Sequence, residues 1–372
     1  MNEHSSPIQL SMLSPQREQC GITDYSRFLT EALSKLPDIH LARNVEPPGR
    51  EGGGAARSAA LLLCLPPAQI AHIQHQYFFF GGVAPYRSSF STFLKYLSLP
   101  AVMTVHEITV SSPASSILVR LGIRIANRAA FLSHKLNCLI VHTAADKDTL
   151  VDLGRPKDTI EVVTHGVPKA SPMPSITEAK AELGLTGKKV VTLFGFLSRK
   201  KGHSLALEAL SSLPEDTYIL LAGGRHPDDQ TDYAASLQNQ IESLGLQSRA
   251  RITGYLSESE IPVFMAATDL AIAPFLQSSG SGSLANLLAY GRAILASDIP
   301  PHQEIASRQP SCLTLFRSAD VQDFVNQAQV LLESKQLREM LQQASLNYAG
   351  CHSYLEMAKE SAAIYSRIRR GD

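Results

Sequence analysis

An excess of either charge is missing from this chain: its 372 residues carry 34 Lys+Arg against 34 Asp+Glu, a formal net charge of zero. Proteins that hold nucleic acid through bulk phosphate attraction show a basic surplus, so no nucleic-acid partner is expected. Cysteine is scarce too. Cys20, Cys64, Cys138, Cys312 and Cys351 are odd in number and widely scattered, with no CxxC pair and no His/Cys cluster. That spacing argues against a disulfide framework and against a metal site. No apolar run approaches the roughly 18–20 residues of a membrane span. The opening MNEHSSPIQLSMLSP lacks the basic start and apolar run of a signal peptide. The resulting expectation is a reducing, cytoplasmic setting.

What is present fits a soluble globular protein: 44% of the residues are hydrophobic and only 18% charged, too few charges for a disordered chain. Because single cores stop growing at about 250–300 residues, the length favours two domains. Short apolar runs alternate with segments of helical period, the pattern of an α/β protein with parallel sheets. In the first half Ala59–Leu65, Ile70–Ile73, Ala101–Val105 and Cys138–Val141 read as buried strands, with helices over Tyr25–Leu36 and Ser116–Leu136. The second series has strands at Val190–Phe194, Tyr218–Ala222, Ala250–Thr253, Leu270–Ala273 and Ala293–Ala296, separated by helical segments. Between the series, Gly166–Ser175 (GVPKASPMPS) reads as a linker. Pro47–Arg57, with four glycines, reads as a surface loop, and the tail from Val321 is helical in period.

Ligands in parallel-sheet folds bind beyond the carboxyl ends of strands, among glycine turns and helix N-termini. Special residues gather at such places here. Gly195–Gly202 (GFLSRKKG) puts Arg199, Lys200 and Lys201 in a strand-to-helix turn, which suits a phosphate or is simply a solvated basic turn. Gln277–Gly291 (QSSGSGSLANLLAYG) follows an apolar strand and runs into an apolar helix starting near Ser283. Its Gly/Ser turn offers backbone donors and a partial positive charge to a diphosphate, or else forms a flexible loop capped by Ser283. In the first half Gly21, in CGITDY, permits close backbone approach to a ligand. His106 falls at the carboxyl end of a strand, His165 ends the last N-terminal strand, and His142 reads as packing. The loop His72–Gly82 (HIQHQYFFFGG) offers Tyr77 or Phe78 as a stacking platform for an apolar sugar face, with Phe79 and Phe80 equally readable as core.

These pieces in this order resemble glycosyltransferase family 4. The resemblance rests on CGITDY, QHQYFFFGG, TVHE, THGV, FGFLSRKKG, GYLSESEIP and AYGRAILASDIP, and it spans nearly the whole chain. It implies the GT-B architecture: two Rossmann-like domains facing each other across a cleft. Residues 1–168 are then the acceptor-binding domain and 169–350 the nucleotide-sugar domain, with 351–372 a helix crossing back to the first. It also implies a retaining, metal-independent hexosyltransferase that moves sugar from a nucleotide diphosphate sugar to a hydroxyl of a glycan or lipid-linked acceptor. No cofactor beyond that co-substrate is expected.

Carried over residue by residue, the resemblance places Gly21 against the donor diphosphate, His106 on the donor sugar and Lys201 on the pyrophosphate. Ser281, Gly282, Ser283 and Leu284 would supply backbone N–H groups, with His165 and Arg199 also on the donor side. Gln76, Tyr77 and Phe78 fall to the acceptor. Two departures stand out. The family's paired glutamates, aligned on Gly291, fall on Ser278 and Asn286, so Asn286 is left to bond a ribose hydroxyl and Ser278 or Ser279 to reach the sugar. Phe196 stands where many members carry an arginine, a role Arg199 could take. These losses leave room for a non-catalytic sugar-nucleotide or glycan-binding relative. A nucleotide-sugar epimerase, which needs carboxylates and a histidine placed for proton transfer, fits the segments less well.

One further segment stands apart. From Ile108 through Ala145 there is no Asp or Glu, and Arg120, Arg124 and Arg128 are spaced four apart beside Leu118, Leu121 and Ile125. A helix here lines up a basic face next to an apolar one. Two readings follow: weak docking on an anionic membrane surface or lipid-linked phosphate, peripheral at the inner membrane surface, or a core-packed helix with a solvated arginine face.

Overall fold

A computed structural model describes residues 6–49, 52–63, 67–82, 88–109, 116–225 and 231–371. The chain divides into two compact units, Met1–Gly166 with Tyr354–Asp372, and Val167–Ser353.

The first unit holds six parallel strands, β1 (Ile8–Leu13), β2 (Ile39–Val45), β3 (Ile70–His75), β4 (Ala101–Val105), β5 (Leu136–Val141) and β6 (Ile160–Val162), in the order β2-β1-β3-β4-β5-β6. Parallel neighbours need crossover helices. They are α1 (Gly21–Leu33), α2 (Gly52–Leu61), α3 (Phe90–Tyr96), α4 (Ile117–Phe131) and α5 (Ala144–Asp152). Every residue of β3 and β4 is buried, as expected of strands covered on both faces.

The second unit repeats the plan with α6 (Ile176–Glu182), β7 (Lys189–Phe194), α7 (His203–Leu210), β8 (Thr217–Ala222), α8 (Tyr233–Ser243), β9 (Ala250–Ile252), α9 (Ile261–Ala267), β10 (Leu270–Ala273), α10 (Gly282–Ala289), β11 (Ile294–Ser297), α11 (Pro300–Arg308) and β12 (Thr314–Phe316). Its strand order is β12-β11-β10-β7-β8-β9. Two long helices follow, α12 (Val321–Glu333) and α13 (Lys335–Cys351).

The last helix, α14 (Tyr354–Arg370), belongs to the first unit. Met357, Ala358, Ile364 and Tyr365 share one apolar cluster with Tyr25, Leu29 and Leu33 of α1 and Ile8 and Leu10 of β1. Arg367 adds an ion pair with Glu161 at 2.5 Å.

Three expectations are corrected. Ala59–Leu65 is not a strand: residues 59–61 end α2, and Cys64 and Leu65 lie outside the described residues. Its Ala/Leu composition lacks β-branched residues, and Ala55, Ala59 and Leu62 recur at helical spacing on the core side. The glycine-rich 47–57 segment is correspondingly part helix from Gly52, with residues 50–51 outside the described set. His165 does not end a strand, since β6 stops at Val162. Among the described residues no helix is long and apolar enough to cross a membrane.

Candidate functional site

In each sheet the strand order reverses once, between β1 and β3 and between β10 and β7. Loops leaving adjacent strands diverge at such a point and open a crevice at the carboxyl edge. The residues singled out in the sequence gather at these two edges, one in each unit.

In the second unit, β7 runs into Gly195, whose φ is +107°. A Cβ there would stand 2.8 Å from the Cβ of Ser283 and on top of the Lys201 ammonium. Only glycine lets the N-terminus of α10 and the Lys201 side chain approach the end of β7. The chain then makes one 3₁₀ turn, Arg199–Lys201, with the Ser198 hydroxyl accepting from Lys200 N, and enters α7 through Gly202. Gly202 has a φ of +69°, and any Cβ would collide with the Pro274 carbonyl beyond β10. Leu276 N donates to the Lys200 carbonyl at 2.7 Å, tying together the loops that follow β7 and β10. Gly202→Ala is therefore expected to cost at least about 2 kcal/mol, through left-handed strain plus the clash. A thermal melt unchanged from wild type would show that the two loops yield.

Lys201 points inward. Its Nζ donates to Ser283 Oγ at 3.1 Å and lies 5.6 Å from the centre of the Phe275 ring. Desolvation pushes its pKa down to about 8, and no carboxylate among the described residues pairs with it. Facing it, Ser281 caps α10 by accepting from Leu284 N at 3.3 Å, and the hydroxyls of Ser281 and Ser283 are 3.0 Å apart. The first N–H groups of a helix have no intrahelical acceptor and carry the positive end of its dipole. A largely desolvated cation and a helix N-terminus thus face each other, an arrangement that can hold a phosphate-type ligand.

The neighbouring residues are engaged differently. Arg199 lies over the Tyr233 ring at 4.8 Å, and Phe196 stacks on Tyr255 with centroids 6.0 Å apart. Asn286 donates to the Gly282 carbonyl at 2.8 Å, back onto its own helix. Ser278 and Ser279 are half-buried in the loop before α10.

In the first unit, His106 follows β4. Its backbone N–H donates to the His75 carbonyl, and its ring Nε2 meets Gln74 Oε1 at 2.7 Å. Gln74 can only accept through that oxygen, so Nε2 carries the proton and Nδ1 the lone pair. Tyr25 packs edge-on against His106 with centroids 4.7 Å apart and also touches His142, His165 and Tyr354. Burial and the neighbouring histidines hold the His106 pKa well below its usual range, so the ring stays neutral at pH 7. His165 is held at about 4, mainly by burial, and its Nδ1 lies 2.9 Å from the Gly166 carbonyl. His142 is buried, with Nδ1 2.8 Å from the Val163 carbonyl. These rings meet by edges and faces. Among the described residues no three His, Cys, Asp or Glu side chains form a group able to hold a metal ion.

Gln76 organises the loop after β3: its Oε1 accepts from Tyr77 N, and its Nε2 donates to Glu107 Oε2 at 2.7 Å. Tyr77 is turned inward, 5% exposed, with its hydroxyl on Asn127, so it offers no stacking face to a ligand. Phe79 and Phe80 are core. Phe78 alone of the run stays half-exposed, 5.1 Å beneath the Arg17 guanidinium. Gly21 is the first residue of α1, and nothing lies within 4 Å of where its Cβ would be. Tyr25 and Gln74 were not singled out from the sequence. The available signal was HIQH (72–75), which puts three polar side chains on a strand otherwise read as buried.

Residues 175–347 match the family model described as glycosyl transferases group 1. Mannosylfructose-phosphate synthase of Agrobacterium fabrum is 28% identical over 189 residues, 43% of this chain and 41% of that protein. The chain matches about half or less of the length of the first curated relatives found. Among solved structures, HepE from Anabaena, in complex with UDP and glucose, superimposes with a TM-score of 0.77 at 17% identity, over 96% of this chain and 99% of that one. Sucrose-phosphate synthase from Thermosynechococcus elongatus gives 0.76 at 14% identity, over 98% and 100%. The chain has the GT-B fold, and its second unit carries the match to group 1 glycosyl transferases.

Proposed function

We propose that the protein is a retaining glycosyltransferase that moves a hexose from a nucleotide diphosphate sugar to a hydroxyl of a glycan or lipid-linked acceptor. The observation that carries this reading is Lys201, a desolvated cation with no carboxylate partner among the described residues, aimed at the N-terminus of α10. When the sugar–oxygen bond breaks, negative charge grows on the leaving diphosphate. Lys201 and the first N–H groups of α10 stabilise that charge without a resident metal, in a setting where fixed donors act most strongly. Mannosylfructose-phosphate synthase supports sugar transfer by its name, and HepE, bound to UDP and glucose, supports a sugar-nucleotide donor.

In this reading the acceptor hydroxyl is itself the nucleophile, because none of the motifs brings a carboxylate to the donor. Glu107, the nearest candidate in sequence, holds Gln76. His106, neutral and oriented by Gln74, hydrogen-bonds the donor sugar, while Ser278, Ser279 and Asn286 serve the hydroxyls that glutamates bind elsewhere in the family. Asn286 gives up only a bond to its own helix to do so. Phe78 is the half-exposed aromatic of this loop left for the acceptor.

The test is incubation with a panel of nucleotide sugars and acceptors, following nucleoside diphosphate release and the anomeric configuration of the product. Transfer with retention is expected, reduced strongly in His106→Ala and mildly in Glu107→Gln. Inverted product, a trapped glycosyl-enzyme, an epimerised donor, or saturable binding without turnover would each overturn it.

A further inference from the structure

Helix α4 is built the wrong way round for a helix that only packs on its own core. Residues facing inward are confined to its second half, where Ala126, Ala130 and Phe131 join the core of the first unit and Asn127 bonds Tyr77 and the Thr109 carbonyl. Four of its large aliphatic side chains point the other way. Ile117, Leu118, Leu121 and Ile125 are 47–80% exposed. At 100° per residue these four fall within about one quarter of the helix circumference, roughly opposite the buried face. The expectation of a core-packed apolar face is therefore corrected: that face is turned to solvent.

Beside it run Arg120, Arg124 and Arg128, one turn apart and all exposed. No carboxylate among the described residues pairs with any of them, and the sequence from Ile108 to Ala145 supplies none. The neighbouring helix α3 adds Lys95 and an exposed Tyr96. An apolar stripe bordered by arginines, with no acidic residue in its own stretch of sequence, suits the plane of an anionic bilayer surface: the aliphatic side chains enter the acyl boundary and the guanidiniums stay with the phosphates. We propose that α4 docks the first unit on an anionic membrane surface. A second copy of the chain is a poorer occupant, because two such faces would set their unpaired arginines against each other. The proposal stands on α4 alone and holds whatever reaction the protein performs.

The test is co-sedimentation of the full chain with phosphatidylcholine vesicles, with and without phosphatidylglycerol. Binding is expected only to the phosphatidylglycerol vesicles, weakening as salt rises. Changing Arg120, Arg124 and Arg128 together to Gln should lower it by about tenfold or more. Leu118→Ser with Leu121→Ser should lower it similarly at unchanged circular dichroism, since neither side chain packs in the core. Equal binding to both vesicle types, or none to either, overturns the proposal. So does concentration-dependent dimerisation abolished by the leucine changes, which would assign the face to a second copy.

Discussion

Replacing Lys201 with Met is expected to lower sugar transfer by about a hundredfold or more while leaving the thermal midpoint unchanged or raised. The rate effect follows from position. Removing one group that stabilises developing negative charge costs on the order of 10²–10³ in turnover, and Lys201 is the side-chain cation set against Ser283 at the start of α10. The stability effect follows from desolvation. The folded pKa, about 8, lies below the ordinary lysine value, so below pH 8 the fold carries a charge that its surroundings disfavour. Between about 8 and the ordinary value the unfolded chain binds the proton that the folded chain has released, and stability rises with pH. Met keeps the length and apolar stem and removes the charge. An anionic ligand reverses the balance by supplying the missing partner, so UDP affinity should fall above about pH 8 in the wild type and lose that dependence in Lys201→Met. Nucleoside diphosphate release, thermal melts and UDP titrations at several pH values check all three effects. Transfer within a few-fold of wild type would place the diphosphate elsewhere, and a midpoint several degrees lower would make Lys201 a structural residue.

How much of this could be read from the sequence depends on how each feature is encoded. The central strands of both sheets are legible because burial on both faces demands continuous apolar runs, as in AVMTV and VVTLF. The strand β2 is not, because it lies at the edge of its sheet and only Ile39 and Val45 at its ends are buried. β1 hides because Gln9 and Ser11 interrupt it, although Ser11 is buried. The strands β6 and β12, three residues each, are not read either, although β9, equally short, is read within Ala250–Thr253.

The second-unit part of the candidate site was readable from local chemistry: a Gly-bounded basic turn and a Gly/Ser turn, each opening a helix. That the two meet is a property of the strand order, which places β7 beside β10 across 76 residues of chain. The surroundings of His106 were not readable for the same reason. Tyr25 comes from α1, Gln74 from β3, and Tyr354 from a helix more than 240 residues further on. No local pattern announces such a set. Tyr77 shows the opposite limit, since an aromatic run after a strand reads equally as platform or core, and only the position of Asn127 on α4 turns it inward.

The second large effect is loss of stability on mild acidification. His72, His75, His142, His203 and His302 are at most 4% exposed, and burial pushes the first four down to about 3 and His302 to about 4. His75 Nδ1 and the Nε2 atoms of His142, His203 and His302 have no hydrogen-bond partner among the described residues, so nothing waits to receive an added proton. The folded chain keeps these rings neutral, whereas the unfolded chain protonates each below about 6.5. Between roughly pH 6.5 and 3–4 the unfolded state therefore binds more protons, and stability falls as the pH falls. At pH 5 each ring costs about 2 kcal/mol, a sizeable share of a typical total stability of about 5–15 kcal/mol, so the fold should weaken markedly on acidification toward pH 5. His75 gives the sharpest check. Its ring sits among Tyr77, Phe80, Phe90 and Phe131, nearly parallel to Phe80, so His75→Phe keeps the packing and deletes one titrating group. Melts at pH 7 should barely change, while at pH 5 the variant should be about 2 kcal/mol more stable than wild type. Coincident curves at both pH values would mean that the acid transition is driven by groups other than these buried rings.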